Sequence, residues 1–361
     1  MKRVLAVTLL SAGLAHAAPR SELTAAHCTG PTRVQCLINL RLVHQLKNGR
    51  PEVRLHAAQT LGERRAKAAP ALPSLERAAL KDSDPAVRLA AIEAIAAVGP
   101  DPGSSPTTLA RALVDKHGPA RLAACKALAA MGQAVKSAQP ALEKALTSDR
   151  EEQVRVCAAQ ALAVAPRAAT ALKALEKALL NDRSSAVKAA TMAALARLDP
   201  SAKATLPILE KALCRKDPEL RGSAAAAMAK LGARALPALS RALKHRSAEC
   251  RRSAIDSLGQ LAPFPPAAVA PLRRALADKD AAARRDAAVA IARVGARMAA
   301  AIPNLESLLR DRSAEVRAAA ATALGAMGKL ASAITPSLKK ATIDEDVNVR
   351  AAATKALDKV Q

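Results

Sequence analysis

Aromatic side chains are almost absent from this chain of 361 residues, which has one Phe and neither Tyr nor Trp. Enzymes commonly anchor their cores and pockets with aromatic residues, because each one buries a large apolar area. Hydrophobic residues still make up 51% of the chain, and alanine dominates among them. Alanine is the strongest helix former and lets helix backbones approach closely. The composition therefore favours an all-α fold of closely packed helices.

Motifs of common catalytic and nucleotide-binding sites are also absent from the sequence. The chain has no P-loop, no Rossmann glycine fingerprint and no G-x-S-x-G turn. No cysteines have C-x-x-C spacing, and no group of Cys and His has the spacing typical of zinc sites. We therefore predict no catalytic, cofactor-binding or metal-binding residues, and a protein that is not an enzyme.

The N-terminus resembles a secretory signal peptide. Lys2 and Arg3 precede an apolar run at residues 4–14, and Ala-His-Ala at residues 15–17 fits a cleavage site. The run is too short to span a bilayer. A buried N-terminal helix is the alternative interpretation. We predict a signal peptide over residues 1–17 and an exported chain that begins near Ala18, either periplasmic or secreted, with no transmembrane segment.

Six cysteines in an exported chain suggest disulfide bonds. Cys28 and Cys36 flank a turn-like segment and are the candidate pair. Two weaker candidate pairs join neighbouring helices or repeats, namely Cys125 with Cys157 and Cys214 with Cys250. The alternative for each cysteine is a small buried thiol.

One basic residue recurs along the chain at a nearly constant spacing. The successive steps are 34, 33, 34, 33, 33, 30, 33, 33 and 33 residues, which identifies an array of repeats. The ten positions are Arg54, Arg88, Arg121, Arg155, Lys188, Arg221, Arg251, Arg284, Arg317 and Arg350.

Each repeat has the pattern of two helices joined by a polar turn. The first helix often opens with Pro, as at Pro73 and Pro140, because Pro at a first helical turn sacrifices no hydrogen bond. The second helix begins near the repeated basic residue. Gly or Pro ends most of the second helices, as at Gly99, Gly132, Gly232, Gly295 and Gly328.

An Asp lies six residues before the basic residue in many repeats. Its carboxylate is suited to accept from helix N–H groups and from an Arg of its own or the adjacent repeat. We predict a structural ladder of such bonds rather than a catalytic role, since equivalent residues in every repeat cannot all be catalytic. The predicted ladder contains Arg88, Arg155, Lys188, Arg284, Arg317 and Arg350 with Asp82, Asp149, Asp182, Asp278, Asp311 and Asp344.

This unit resembles the HEAT repeat, and most of all the short repeats of bilin-lyase-type HEAT proteins. The resemblance rests on the Pro-led first helix, the turn Asp and the V-R-x-x-A-x-x-x-L-G second helix, and it covers about residues 50–361. It implies a right-handed α-solenoid of about ten helix pairs, of the ARM-type superhelix class, with the second helices lining a concave face. Residues 18–49 lie outside the repeats and are predicted to form an N-terminal capping segment, with a helix near residues 34–46.

Two enzyme families related to this fold provide a test for catalysis. Deoxyhypusine hydroxylases hold two irons through His-Glu dipeptides, whereas none of the six His in this chain precedes a Glu. Bilin lyases act on cytoplasmic proteins, a setting that an export signal contradicts. A lyase- or hydroxylase-related enzyme is therefore the weakest hypothesis.

Basic residues recur at fixed offsets on the second helices and predict a partner-binding stripe. Residues 221–300 hold fifteen Lys or Arg against five Asp or Glu, and the whole chain has a formal net charge of +25. These charges are suited to an acidic protein partner or to envelope polyanions such as acidic polysaccharide or lipid headgroups. The alternative is that they only keep an Ala-rich protein soluble. The stripe consists of Arg197, Lys230, Arg252, Arg285, Arg293 and Lys359.

The leading hypothesis is an exported, non-enzymatic scaffold that binds a protein along its concave face. An electrostatic binder of envelope polyanions is the alternative. Nucleic acid is a weaker candidate, because an exported protein rarely meets it and no aromatics are present to stack on bases. The sequence leaves the oligomeric state open.

Overall fold

The computed structural model describes residues 33–360, except for residue 102 and residues 165–168. All regular structure in these described residues is helical. The predicted signal peptide and Cys28, and with Cys28 its pairing to Cys36, lie outside them. None of the described helices is long and apolar enough to cross a membrane. The helices are α1 (Arg33–Asn48), α2 (Pro51–Glu63), α3 (Leu72–Lys81), α4 (Pro85–Val98), α5 (Ser105–Ala112), α6 (Gly118–Ala130), α7 (Gln139–Ser148), α8 (Glu152–Leu162), α9 (Ala169–Asn181), α10 (Ser185–Leu198), α11 (Thr205–Leu213), α12 (Pro218–Leu231), α13 (Leu236–Ala242), α14 (Ala248–Gly259), α15 (Val269–Ala275), α16 (Ala281–Val294), α17 (Ile302–Leu308), α18 (Ala314–Met327), α19 (Thr335–Ala341) and α20 (Val347–Val360).

First and second helices of the repeats alternate along the whole array. Odd-numbered helices are the first helices and even-numbered ones the second, so every repeated basic residue lies on an even-numbered helix. Pro stands in the first turn of α3, as at Pro73, and of several other first helices, as the sequence predicted. Polar residues cap the second helices: Asp84 accepts from the N–H of Ala86, and Asp280 from that of Ala283.

Glycines with a left-handed backbone follow five of the second helices. Their φ angles lie between 55° and 100°, a region that side chains with a Cβ rarely adopt. At four of them a short 3-10 segment begins and leads into the next first helix. The five glycines are those predicted from the sequence, namely Gly99, Gly132, Gly232, Gly295 and Gly328.

The described residues form two compact units, one that ends at Ala145 and one that begins at Leu146. Within each unit a second helix packs against the second helix of the next repeat, as α2 does on α4 and α16 on α18. Small residues make this packing close. A Cβ added at Gly259 would lie 2.7 Å from the Cβ of Ala290, and one added at Gly325 would lie 3.1 Å from the Cβ of Ala356. The alanine-rich composition thus serves close helix contact rather than a bulky core.

The N-terminal segment contributes α1, which is longer than the helix predicted near residues 34–46. Leu42, Val43 and Leu46 are buried, and α1 packs on α2 as a first helix does in later repeats. The amide of Asn39 donates to the carbonyl oxygen of Lys67 at 2.7 Å, and its own oxygen accepts from Arg64. This segment is therefore integrated with the first repeat.

Candidate partner-binding face

The repeated basic residue reaches forward to the acidic residue in the turn of the next repeat. In Arg88, Nε and Nη2 donate to the two carboxylate oxygens of Asp115 at 2.6 and 2.8 Å. Nη1 of the same guanidinium donates at 3.0 Å to the backbone carbonyl of Asp82, in its own turn. Arg88 therefore connects two consecutive turns. The other charge pairs are Arg54–Asp82, Arg155–Asp182, Lys188–Asp217, Arg251–Asp278, Arg284–Asp311 and Arg317–Asp344.

The turn carboxylates also accept from the backbone, as the sequence predicted. Asp115 accepts from the N–H of His117, and Asp149 accepts from that of Glu151. The hydrogen bond from Arg88 and then that from His117 lower the pKa of Asp115 below its ordinary value, although partial burial opposes this. The hydrogen bond from Arg317 likewise lowers the pKa of Asp344. These carboxylates remain charged well into the acidic range.

Several residues of the ladder were not predicted from the sequence. Asp115 lies six residues before Arg121, so the same count would have found it. Asp217 was harder to find, because it lies four residues before Arg221 and also caps α12. At the end of the array, Arg350 donates through Nη1 to the carbonyl oxygens of Asp344 and Glu345.

The ladder is interrupted between α12 and α14. Arg221 donates through Nη1 to the carbonyl oxygens of Arg215 and Lys216, at 3.0 and 2.8 Å. Among the described residues, no carboxylate accepts from its other two nitrogens, because His245 stands where other turns place Asp. Nδ1 of His245 accepts from the N–H of Ser247 at 3.1 Å, as a turn carboxylate would. Arg221 therefore has donor capacity that its own chain leaves unused.

Half of the predicted basic stripe is engaged with acidic residues of the same face. Arg252 donates to Asp286 at 2.6 Å, and Arg293 donates to Asp256 at 2.8 Å. Arg285 donates to Asp286 and to Glu315. The sequence showed an excess of positive charge, but the pairing of these acidic residues with the stripe was not predicted. Their offsets from the repeated Arg, five for Asp256 and two for Asp286, were the available signal.

The other half of the stripe is exposed. Arg197, Lys230 and Lys359 lie in the last turns of α10, α12 and α20. Within the described residues, these three side chains have no hydrogen-bond or ion-pair partner. The stripe is thus a row of mixed charge, with positive charge left uncompensated at these three positions.

A groove of about 270 Å³ opens on the second helices α12, α14 and α16. Gly222 and Ala225 leave space on its α12 side, and apart from these two and Pro218 the lining is charged or polar. The hydroxyl of Ser247 donates to Glu249 at 2.6 Å and, together with the charges of Arg221 and Arg252, lowers the pKa of Glu249. The lining comprises Pro218, Arg221, Gly222, Ala225, Glu249, Arg252, Ser253, Asp256 and Asp286. We refer to this surface as the α12–α16 groove.

The fold and its repeated ladder define an α-solenoid repeat protein. The sequence matches the profile of HEAT repeats over residues 40–110, 172–259, 206–292, 236–325 and 302–361. Because these segments cover more than half of the chain, the protein belongs to the HEAT-repeat family. No curated protein sequence matches the chain.

Solved structures with a similar fold include the karyopherin Kap121p. Its complex with the SUMO protease Ulp1p matches with a TM-score of 0.56 at 15% identity, over 90% of this chain and 41% of that chain. Its complex with Nup53p also gives 0.56 at 15% identity, over 93% and 42%. The chain thus spans about two-fifths of the length of this karyopherin. The CpcE–CpcF complex of phycocyanin lyase from Nostoc sp. gives 0.39 at 24% identity, over 42% of this chain and 98% of that chain.

Proposed function

We propose that this HEAT protein is an exported, non-enzymatic scaffold that binds an acidic segment of a partner protein in the α12–α16 groove. The observation that carries the proposal is the unused donor edge of Arg221 in the lining of that groove. A partner carboxylate would supply Arg221 with the acceptor that the paired basic residues of the ladder find in the turn of the next repeat. Charge-assisted bonds of this kind are strong and directional.

The lining of the groove supports recognition by matched charges rather than by one sign of charge. Glu249, Asp256 and Asp286 offer acceptors to basic groups of the partner, while Arg221 offers donors. Paired charges of both signs favour one register of a bound segment and disfavour others. The small side chains of Gly222 and Ala225 leave space for the partner's backbone. The fold is compatible with this role, since Kap121p is seen bound to protein partners.

Binding of envelope polyanions is the second candidate, and one observation favours it. Arg197, Lys230 and Lys359 are exposed and lack carboxylate partners among the described residues, and the net charge is strongly positive. A polyanion held by these residues would dissociate steeply as salt rises, because exposed charges are screened within about 8–10 Å at 0.1–0.15 M salt. A segment held in the groove by directional bonds would be less sensitive.

Photo-crosslinking tests the groove directly. A photoreactive residue at Ser253, inside the groove, should capture a discrete protein from the envelope fraction. The captured protein is then purified and its Kd measured. Arg221→Glu should weaken the purified complex at least about tenfold, the loss expected for a charge-assisted bond of roughly 1.5–3 kcal/mol. The matched control is Arg241→Glu, which reverses a charge on the first helix α13, away from the groove.

The outcomes separate the two candidates. Equal affinity of the Arg221→Glu and Arg241→Glu variants would contradict the groove. Binding to acidic polysaccharide or anionic vesicles that needs Arg197, Lys230 and Lys359, and is abolished by salt, would favour the polyanion role. Export has its own test, because N-terminal sequencing of the envelope protein should begin near Ala18. Full-length chain confined to the cytoplasm would contradict it.

A further inference from the structure

A cluster of two cysteines and one histidine lies where the ladder is interrupted. Cys214 and Cys250 form a disulfide with a Cα–Cα distance of 4.4 Å. The sulfurs and a ring nitrogen of His245 lie within 4.8 Å of one another. Cys214 follows α11 and Cys250 lies in the first turn of α14, so the bond joins the same two repeats that the absent Arg221 rung would join. A covalent link thus stands in place of a charge pair.

The two cysteine residues differ in their exposure to solvent. Cys250 is fully buried, whereas Cys214 is partly exposed. A thiolate from solution can therefore approach Cys214, with Cys250 as the leaving group. Attack along the line of the S–S bond from the exposed side is the geometry that disulfide exchange requires.

The site also has partners for the reduced form. The sulfur of Cys250 lies 3.9 Å from the carbonyl oxygen of Ala242, which would accept from its S–H. Because Nδ1 of His245 accepts from Ser247, the neutral ring carries its proton on Nε2 and keeps an N–H donor. An N–H donor close to a sulfur favours its thiolate form, and His245 is the polar side chain that lies at this cluster. Both redox states of the cysteine pair are therefore accommodated.

We propose that Cys214–Cys250 is a reversible thiol–disulfide exchange site whose substrate is a dithiol reductant, small or protein-borne. One thiolate of the dithiol attacks Cys214, a mixed disulfide forms, and the Cys250 thiolate leaves and takes a proton. The second thiol of the reductant then displaces Cys214 and closes its own disulfide. Two electrons and two protons pass from the dithiol to the protein, and the reverse reaction restores the link between the repeats.

The consequence of reduction is local, since neither a disulfide nor an Arg–Asp pair then joins these turns. Helices α12 and α14 line the groove through Arg221, Gly222, Glu249 and Arg252, so loosening this junction changes the groove. Repeat arrays open at their weakest interfaces, because each repeat contacts only its neighbours. Elsewhere in the described part of this unit, the charge pairs keep the turns joined without regard to redox state.

Amide hydrogen exchange on the full chain tests the site, with and without dithiothreitol and without denaturant. Reduction should speed exchange in α12 and α14 at least about tenfold and leave α16–α20 unchanged. Cys214→Ser/Cys250→Ser should exchange at the fast rate under both conditions. His245→Asp restores a carboxylate opposite Arg221, so its exchange should change less than about threefold on reduction.

The rate of disulfide cleavage gives a second readout that a merely structural bond would not satisfy. Alkylation and mass spectrometry should show native-state cleavage proportional to dithiothreitol concentration, with the first alkylated sulfur on Cys214. His245→Gln should slow cleavage at least about fivefold. Two results would overturn the proposal. One is disulfide cleavage that proceeds only at the rate of global unfolding, and the other is amide exchange in α12 and α14 that is the same with and without reductant.

Discussion

Arg284 is bound to Asp311 by two parallel hydrogen bonds across the boundary between two repeats. Nε and Nη2 donate to the carboxylate at 2.8 and 2.9 Å, and the Asp side chain is only 8% exposed. Nη1 donates a hydrogen bond to the backbone carbonyl oxygen of Asp278 in the preceding turn. One guanidinium therefore fixes the spacing of two consecutive turns, and its repetition aligns successive second helices.

Removal of one ladder carboxylate should destabilise the C-terminal unit. Asp311→Ala leaves the Arg284 fork without its acceptor and also leaves the N–H of Ser313 unpaired. We expect a loss of about 2–3 kcal/mol in the free energy of unfolding, as for hydrogen bonds to charged groups. Urea unfolding followed by circular dichroism measures it. Asp358→Ala, on the exposed face of α20, is the control and should change stability by less than about 0.5 kcal/mol.

Two adjacent arginines on α14 should differ in how strongly they couple to their acids. Arg251 and Asp278 are 6% and 10% exposed, whereas Arg252 and Asp286 are 39% and 23% exposed. Double-mutant cycles to Ala should give a coupling of about 2–3 kcal/mol for the first pair and below about 1 kcal/mol for the second. Equal couplings would mean that the ladder has no special role in joining the repeats.

Acid should weaken the ladder. The direction of this pH dependence follows from the lowered pKa values of the ladder carboxylates. The hydrogen bond from Arg88 lowers the pKa of Asp115 in the folded chain, and that from Arg317 does the same for Asp344. Each contributes stability that is fully present above the unfolded pKa, about 3.9, and is lost as pH falls through the lower folded value.

Denaturant unfolding between pH 7 and pH 3 measures this dependence of the free energy of unfolding on pH. We expect these groups to leave stability unchanged from about pH 5 to 8 and to reduce it below about pH 4. The Asp115→Asn variant should lose less stability across that acidic range than the parent chain does. A steeper acid dependence in the variant would show that the sign is wrong.

A matched pair of glycine substitutions tests the close approach of second helices. In Gly259→Ala the new Cβ would lie 2.7 Å from the Cβ and 3.0 Å from the Cα of Ala290, so the helices must separate. We expect a loss of about 1–3 kcal/mol. Gly222→Ala places its Cβ in open space within α12 and should stabilise by about 0.5–1 kcal/mol. Midpoints of thermal unfolding should therefore shift in opposite directions.

Much of the repeat architecture was predictable because its signals are local. Pro73 at the start of α3 and Gly99 after α4 act through their own backbone dihedrals, which do not depend on distant residues. The pairing of Cys214 with Cys250 was predictable only as a weak candidate, since spacing alone does not fix where two turns meet. The neutralisation of half of the basic stripe was not predictable, because Asp256 and Asp286 bind Arg residues that lie 37 and 34 positions away in sequence.

The sequence by itself determined the period, the helix pairs and the HEAT-type unit, because hydrophobic spacing, Pro and Gly act within one repeat. Only the tertiary structure decided that most of the repeated basic residues meet a carboxylate of the following repeat, and that Arg221 meets none among the described residues. It also decided that half of the positive stripe is neutralised by acids on neighbouring helices. Charge interactions depend on distance in space, and the stacking of repeats sets that distance.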